Sequence, residues 1–209
     1  MTFIAEMGSG NTCRNDVSLA HDMIDAVIGK DTGKHKIVFK WQLFYNMPPN
    51  EKLDWRVFTD AYEHAASRGY ETTASVFNEE CLQFLLEFDV PVVKLPCVRE
   101  LYPLAKKVPA DIPVIVSYPN ATRVADVKRN AHIIPLCCVR EYPADMVKYG
   151  SMFDGDQLRF GISDHTEGWG MYHVYQPQWL EKHVVLEHDE DNPDAGPFAA
   201  TVEELGEIL

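Results

Sequence analysis

Ser163-Asp164-His165-Thr166, followed by Leu180-Glu181-Lys182-His183, sets two short hydrophilic clusters against apolar, strand-like runs. Charged and imidazole groups at the ends of buried strands carry a desolvation cost that a ligand or metal has to offset. The pair therefore reads as the rim of an active site. His165 and His183 are too far apart in sequence for one helix face. They suit the tips of two consecutive strands joined by a crossover, which neighbouring barrel strands would bring together.

Outward from these clusters, apolar β-rich runs recur along the chain. Strands are expected at Thr2–Met7, Lys36–Gln42, Glu71–Val76, Val90–Leu95, Pro113–Tyr118, His132–Val139, Arg159–Asp164 and Trp179–Leu186. The early crossovers look helical. Asp16–Ile28 places Val17, Ala20, Ile24 and Val27 on one face, Trp55–Arg68 is amphipathic, and Asn78–Phe88 carries Cys81, Leu82, Leu85 and Leu86. Near-continuous apolar strands alternating with helices make a parallel sheet covered on both faces. The fold class is therefore α/β, a compact (β/α)8 TIM barrel. Its later helices should be shortened: Asn120–Arg129 has room for a short one, Glu141 to Gln157 reads as loop, and Gly168-Trp169-Gly170 leaves little space before Pro177. A gap on that side would leave apolar surface to cover, so a homo-oligomer is expected. An acidic loop from His188 to Asp194 then precedes a last helix over Ala199–Leu209, begun by Thr201.

The chain has 209 residues, 46% of them hydrophobic, enough for a single domain spanning 1–209. A formal charge of −13 argues against nucleic-acid or anionic-membrane partners, because the overall field repels phosphate polymers. Any anionic substrate must be held by local cations. Five cysteines without CxxC spacing argue against a disulfide framework or zinc knuckle and favour a reducing compartment. The N-terminus meets Glu6 before a signal-type apolar segment could form, and no apolar run approaches the ~20 residues of a membrane span. A cytoplasmic location is expected.

Lys40 and Lys94 each lie near the end of an apolar strand, where a lysine is costly unless an anion neutralises it or its stem snorkels to solvent. Glu6 lies near the end of the first strand, and Glu181 is a second candidate carboxylate. Either can serve acid–base chemistry or pair with a lysine such as Lys182. Cys137 and Cys138 are adjacent in a strand and should point to opposite faces.

In order along the chain, Phe3-Ile4-Ala5-Glu6-Met7-Gly8, Val38-Phe39-Lys40-Trp41-Gln42, Val90-Pro91-Val92-Val93-Lys94, Ile115-Val116-Ser117, Tyr142-Pro143, the two opening clusters and Pro193-Asp194 resemble the sialic acid synthase (N-acetylneuraminate synthase) family. The resemblance implies a metal-assisted, aldol-type condensation of phosphoenolpyruvate with an amino-sugar aldehyde, giving a sialic-acid-like 2-keto sugar acid. It implies His165 and His183 as ligands of a divalent metal, manganese or magnesium. It also implies Lys40 and Lys94 as phosphoenolpyruvate contacts, with Ser75, Ser117 and Ser163 adding hydroxyl donors. Glu6 would lie near the reacting centre, and Gln42, Tyr142 and Asp194 would hold sugar or phosphoenolpyruvate.

The chain departs from that pattern. Lys94-Leu95-Pro96-Cys97 stands where the family commonly has Lys-x-Gly-Ser, and Arg140 stands in place of an asparagine. Pro96 removes an amide donor, Cys97 replaces a hydroxyl, and Arg140 offers a bidentate grip on an anion. Family members usually carry a C-terminal antifreeze-like domain that closes over the sugar; here the resemblance covers the catalytic barrel alone, so a separate lid protein is an expected partner. Two other readings stand beside the enzyme: a degenerate barrel binding an anionic ligand or a protein without turnover, and another barrel lyase or aldolase using a Schiff-base lysine.

Overall fold

A computed structural model describes residues 1–45, 48–119, 132–150, 152 and 161–209. Eight parallel strands close into a barrel: β1 (Thr2–Glu6), β2 (Lys36–Leu43), β3 (Glu71–Val76), β4 (Val93–Leu95), β5 (Val114–Tyr118), β6 (Ile133–Cys138), β7 (Gly161–Asp164) and β8 (Trp179–Val185). Closure is made by β1, which pairs with β2 on one side and β8 on the other, so Glu6 lies opposite both Lys40 and His183. All eight expected strands are present. β4 is shorter than its apolar run, because Pro91 and Pro96 bracket it and neither can donate to the ladder.

Alternation along the strands divides the interior into two layers. Outward residues such as Phe3, Phe39, Ala74, Val116, Cys137, Ile162 and Leu180 join the helices in the main core. Inward residues begin with an apolar floor of Ile4, Val92, Ile115 and Leu136, on which Ile134 and Trp179 pack. One step nearer the strands' C-terminal ends, the inward residues turn polar. Gly161 belongs to the floor: a Cβ there would stand 2.7 Å from the Trp179 Cβ and 2.8 Å from the Leu136 Cγ, so only glycine lets β7 approach.

The helices are long early and short late. α1 (Gly10–Cys13) is one turn, α2 (Val17–Ile28) and α3 (Trp55–Ser67) are full crossovers, and α4 (Glu79–Leu85) is shorter. Asp16, Asp54 and Asn78 each cap a helix, their side chains accepting backbone N–H bonds from Ser18 and Leu19, Arg56 and Cys81 respectively. Between β4 and β5 runs a 3-10 segment, Arg99–Lys107, in which Pro103 removes the donor an α-helix would need. On the far side α5 (Met146–Gly150) and α6 (Gly170–Tyr175) have five and six residues.

Two expectations need amendment. The stretch from Glu141 is not wholly loop, since α5 forms within it. The helix expected over Ala199–Leu209 is instead a two-residue strand, β9 (Ala200–Thr201), parallel to β8, followed by a 3-10 turn at Glu204–Glu207. Thr201 and Glu204 do exchange reciprocal capping bonds, Thr201 N–H to Glu204 Oε2 at 2.7 Å and Glu204 N–H to Thr201 Oγ1 at 3.4 Å. The apolar residues after them, Leu205, Ile208 and Leu209, are spent on one packed turn. The helix expected over Asn120–Arg129 lies outside the described residues.

Candidate active site

The polar layer above the floor opens into a cavity of about 240 Å³ at the C-terminal ends of the strands. Glu6, Lys40, Gln42, Ser75, Lys94, Ser117, Arg140, Tyr142, Ser163, His165, Glu181 and His183 all line it. Of the residues picked out in the sequence, only Asp194 stands behind the wall. Its carboxylate accepts bonds from Gln42 Nε2 at 3.0 Å and Ser9 Oγ at 3.0 Å, and lies 3.5 Å from His183 Nδ1. Burial raises its pKa, opposed by the bonds from Ser9 and Gln42.

The anions that Lys40 and Lys94 require come from within the chain. Lys40 pairs with Glu6 and donates to Ser75 Oγ at 2.7 Å; Lys94 grips both Glu181 oxygens at 2.8 and 2.9 Å. Glu181 Oε1 also accepts from Ser163 Oγ at 2.8 Å. Burial opposes ionisation of Glu181, but the Lys40 and Lys94 ammonium groups outweigh it and hold the carboxyl well below its usual range. Lys40 is pushed the other way, downward, by burial, against the attraction of Glu181. Neither lysine snorkels: they are 1% and 3% exposed. Glu6 is further fixed by Gly8, whose N–H donates to Oε1 at 2.8 Å from a backbone at φ +77°, a conformation that favours glycine.

His165 and His183 face each other with ring centroids 6.0 Å apart. His165 Nδ1 lies 2.7 Å from the Val139 carbonyl, which can only accept, so the proton sits on Nδ1 and Nε2 keeps its lone pair, 3.4 Å from Ser163 Oγ. His183 Nδ1 is buried without a hydrogen-bond partner. Burial holds both imidazoles neutral, with pKa values lowered to about 3; the His183 ring adds to the lowering of His165, and the Lys40 ammonium to that of His183. Two neutral imidazoles lining one cavity, with a free lone pair on His165 Nε2, fit a divalent metal. Among the described residues no three His, Cys, Asp or Glu side chains converge on one point. Substrate or water oxygens would have to fill the other positions.

Several residues that matter were not picked out in the sequence. Tyr149, fully buried, donates its hydroxyl to the Ser163 carbonyl and accepts the His165 N–H at 3.1 Å, fixing the β7 tip. Phe198 stands edge-on to both His183 and Tyr142, with centroids at 5.1 and 5.0 Å. Ser9 and Thr12 hold Asp194. None has a local signal, because each acts through a partner distant in sequence. Tyr142 stacks on His165 at 4.1 Å yet is 55% exposed, at the mouth. Ser117 Oγ is buried without a partner in the wall of the cavity. Lys182 does not pair with Glu181: the pleat turns it outward, where it donates to Asp164 Oδ2 at 3.1 Å and the Thr166 carbonyl at 2.7 Å.

The NeuB family model matches residues 22–209. Among solved structures, N-acetylneuraminic acid (sialic acid) synthetase from Leptospira borgpetersenii superposes with a TM-score of 0.76 at 22% identity, covering 98% of this chain and 80% of that one. A putative spore coat polysaccharide biosynthesis protein E from Chromobacterium violaceum gives 0.75 at 18%, covering 99% and 72%. Phospho-2-dehydro-3-deoxyheptonate aldolase from Thermotoga maritima gives 0.67 at 15%, covering 99% and 66%. At these identities the likeness establishes the barrel. No curated protein sequence matches the chain.

Proposed function

The chain belongs to the NeuB family, and from the site it carries we propose that it condenses phosphoenolpyruvate with an amino-sugar aldehyde to a sialic-acid-like 2-keto sugar acid. The observation that carries this reading is the convergence, in one cavity, of two neutral imidazoles, two buried lysines on carboxylates and an unpartnered serine hydroxyl. Phosphoenolpyruvate brings a phosphate and a carboxylate. Lys94, Arg140 and Ser117 line the side of the cavity formed by β4 to β6 and can hold one anion there, while Lys40 and Ser75 meet the other. A divalent cation, manganese or magnesium, held by His165 and His183 would supply Lewis acidity toward the aldehyde oxygen.

The two carboxylates are suited to different tasks. Two ammonium groups bear on Glu181, so its proton affinity is too low for a base; it fixes Lys94 and Ser163 in place. Glu6 has one lysine partner and faces the cavity, so it is the carboxylate that takes the proton from the water adding at C2 as phosphate leaves. Gln42, steadied by Asp194, and Tyr142 at the mouth offer amide and phenol groups to the sugar hydroxyls.

One closed barrel with its own core supports reading 1–209 as a single domain. Among the described residues no helix is long and apolar enough to cross a membrane. Val147 and Val174, 75% and 60% exposed on the thin side of the barrel, support a homo-oligomer that covers them, and an open cavity mouth supports a separate lid protein.

Phosphate release from phosphoenolpyruvate with manganese and a panel of amino-sugar aldehydes tests the proposal. Release that depends on both metal and aldehyde is expected. Pro96, Cys97 and Arg140 favour the second reading, an anion-binding barrel without turnover. Calorimetric binding of phosphoenolpyruvate with no release under any aldehyde would select it.

A further inference from the structure

The cavity carries two thiols that the condensation does not use. Cys97 follows β4 and Cys138 ends β6; both line the pocket beside Lys94 and Arg140, and both are free. Both side chains face the same space, and each thiol acts on the other, with Cys138 as the donor of the pair. That contact, helped by the Arg140 and Lys94 cations and opposed by burial, lowers the Cys97 thiol to about 7. The same contact, with burial, pushes Cys138 well up. The other three cysteines are different in kind. Cys13, Cys81 and Cys137 lie in the apolar core, and burial raises all three thiols. Cys137 and Cys138, neighbours in one strand, thus have opposite surroundings: one faces the helices, the other the cavity.

We propose that Cys97 and Cys138 form a peroxide-sensitive dithiol whose oxidation to a disulfide closes the anion end of the cavity. Cys97 is the attacking sulfur, since two cations flank it and a thiol donates to it. Its thiolate attacks one oxygen of hydrogen peroxide, the O–O bond breaks, and hydroxide leaves and is protonated to water. The Cys97 sulfur is thereby oxidised to a sulfenic acid. The Cys138 sulfur then attacks it, the S–O bond breaks, and the departing hydroxide takes the Cys138 proton as a second water. Two thiols and one peroxide become one disulfide and two waters. The bond brings the two sulfurs to about 2.05 Å. The segment at Pro96-Cys97-Val98, outside any strand, is drawn toward β6 across the space between Lys94 and Arg140. The closure rests on the proposed anion site; the thiol chemistry does not.

Treating the full chain with hydrogen peroxide and mapping peptides without reduction tests the dithiol. A linked Cys97–Cys138 peptide, lighter by two hydrogens and separated again by dithiothreitol, is expected. In C138S, Cys97 should stop at a sulfenic acid trapped by dimedone; in C97S, Cys138 should stay unmodified. Thermal melts of both variants establish that they are folded. A disulfide elsewhere, or Cys97 reacting no faster than Cys13, would overturn the assignment. Phosphoenolpyruvate and, in parallel, inorganic phosphate are titrated into reduced and oxidised protein, with at least about tenfold weaker binding expected after oxidation. Unchanged phosphate affinity in the linked protein would overturn the closure. Because phosphate is read separately, failure of phosphoenolpyruvate alone counts against the functional reading and not against the dithiol.

Discussion

Glu181 and Lys182 are neighbours on β8, and each ends in a buried ion pair with the opposite charge, but the two pairs serve different ends. Glu181 points into the barrel, where Lys94 and Ser163 hold it and a cavity of about 240 Å³ lies above. Lys182 points out, where Asp164, the Thr166 carbonyl and the Trp169 ring, 5.5 Å from its nitrogen, enclose it completely. Asp164 in turn accepts from the Thr166 N–H and hydroxyl, both at 2.8 Å. The outer pair has no ligand to exchange for; it ties β8 to the β7 tip and so sets where His165 stands. The inner pair keeps its charges beside a space that a substrate can enter. Similar chemistry gives a fastener on one face of the sheet and a site on the other, and only what lies above it differs.

Removing one partner on each face should separate these roles. Lys182→Met leaves the Asp164 carboxylate buried and unpaired, and should cost about 3–5 kcal/mol in chemical denaturation. Lys94→Met leaves Glu181 with Ser163, Lys40 at 3.9 Å and access to the cavity, so the loss should be about 1–2 kcal/mol. Binding should rank the other way for Lys94: phosphoenolpyruvate affinity should fall at least about tenfold in calorimetry. Equal destabilisation by the two substitutions would break the comparison. An unaltered phosphoenolpyruvate affinity in Lys94→Met would mean that Lys94 serves only Glu181.

Acid should act on the inner face next. His165 and His183 have ordinary values near 6.5 and are lowered to about 3 in the fold. Below pH about 6.5 the unfolded chain takes up protons that the native imidazoles refuse, so stability is full above that pH and falls as pH drops toward 3. Each imidazole contributes about 1.4 kcal/mol per pH unit through that window, or about 2 kcal/mol by pH 5. Denaturation midpoints from pH 7.5 to 5 should therefore fall more gently in His165→Gln and His183→Gln than in the unaltered chain. Parallel curves would mean that the rings are protonated in the native state.

The strands were legible because a buried parallel sheet writes itself as short apolar runs, and the strand-end clusters were legible because charge at the end of such a run is costly unless used. Lys40, Lys94, His165 and His183 stand out on that ground, and the roles expected of them follow from the family resemblance. What satisfies them was not legible. The Lys94–Glu181 pair spans strands four apart in the barrel, and Tyr149 reaches β7 from α5. Such pairings depend on register and closure, which no local pattern encodes. The terminal segment failed for another reason: Thr201 and Glu204 carry a helix-start signal that the chain uses, but the residues beyond them pack against the main core instead of extending a helix. Local propensity favours a helix there, and tertiary packing overrides it.

Tyr142 offers the smallest effect and the sharpest test of how far the inner face extends. Its ring stacks on His165 and meets Phe198 edge-on, while about half of its surface stays in solvent. As a packing aromatic it needs only the ring; as a sugar contact it needs the hydroxyl. Tyr142→Leu should cost about 0.5–1.5 kcal/mol, the scale of an aromatic pair, whichever role holds. Tyr142→Phe keeps the ring and should leave stability within about 0.5 kcal/mol. If the phenol reaches the acceptor, Tyr142→Phe should still weaken the aldehyde dependence of phosphate release several-fold, about 0.5–1.5 kcal/mol for one lost hydrogen bond, while phosphoenolpyruvate binding is unchanged. An unaltered aldehyde response in Tyr142→Phe would confine the sugar's contacts to Gln42 and the cavity wall, and leave Tyr142 as the ring that holds His165 in place.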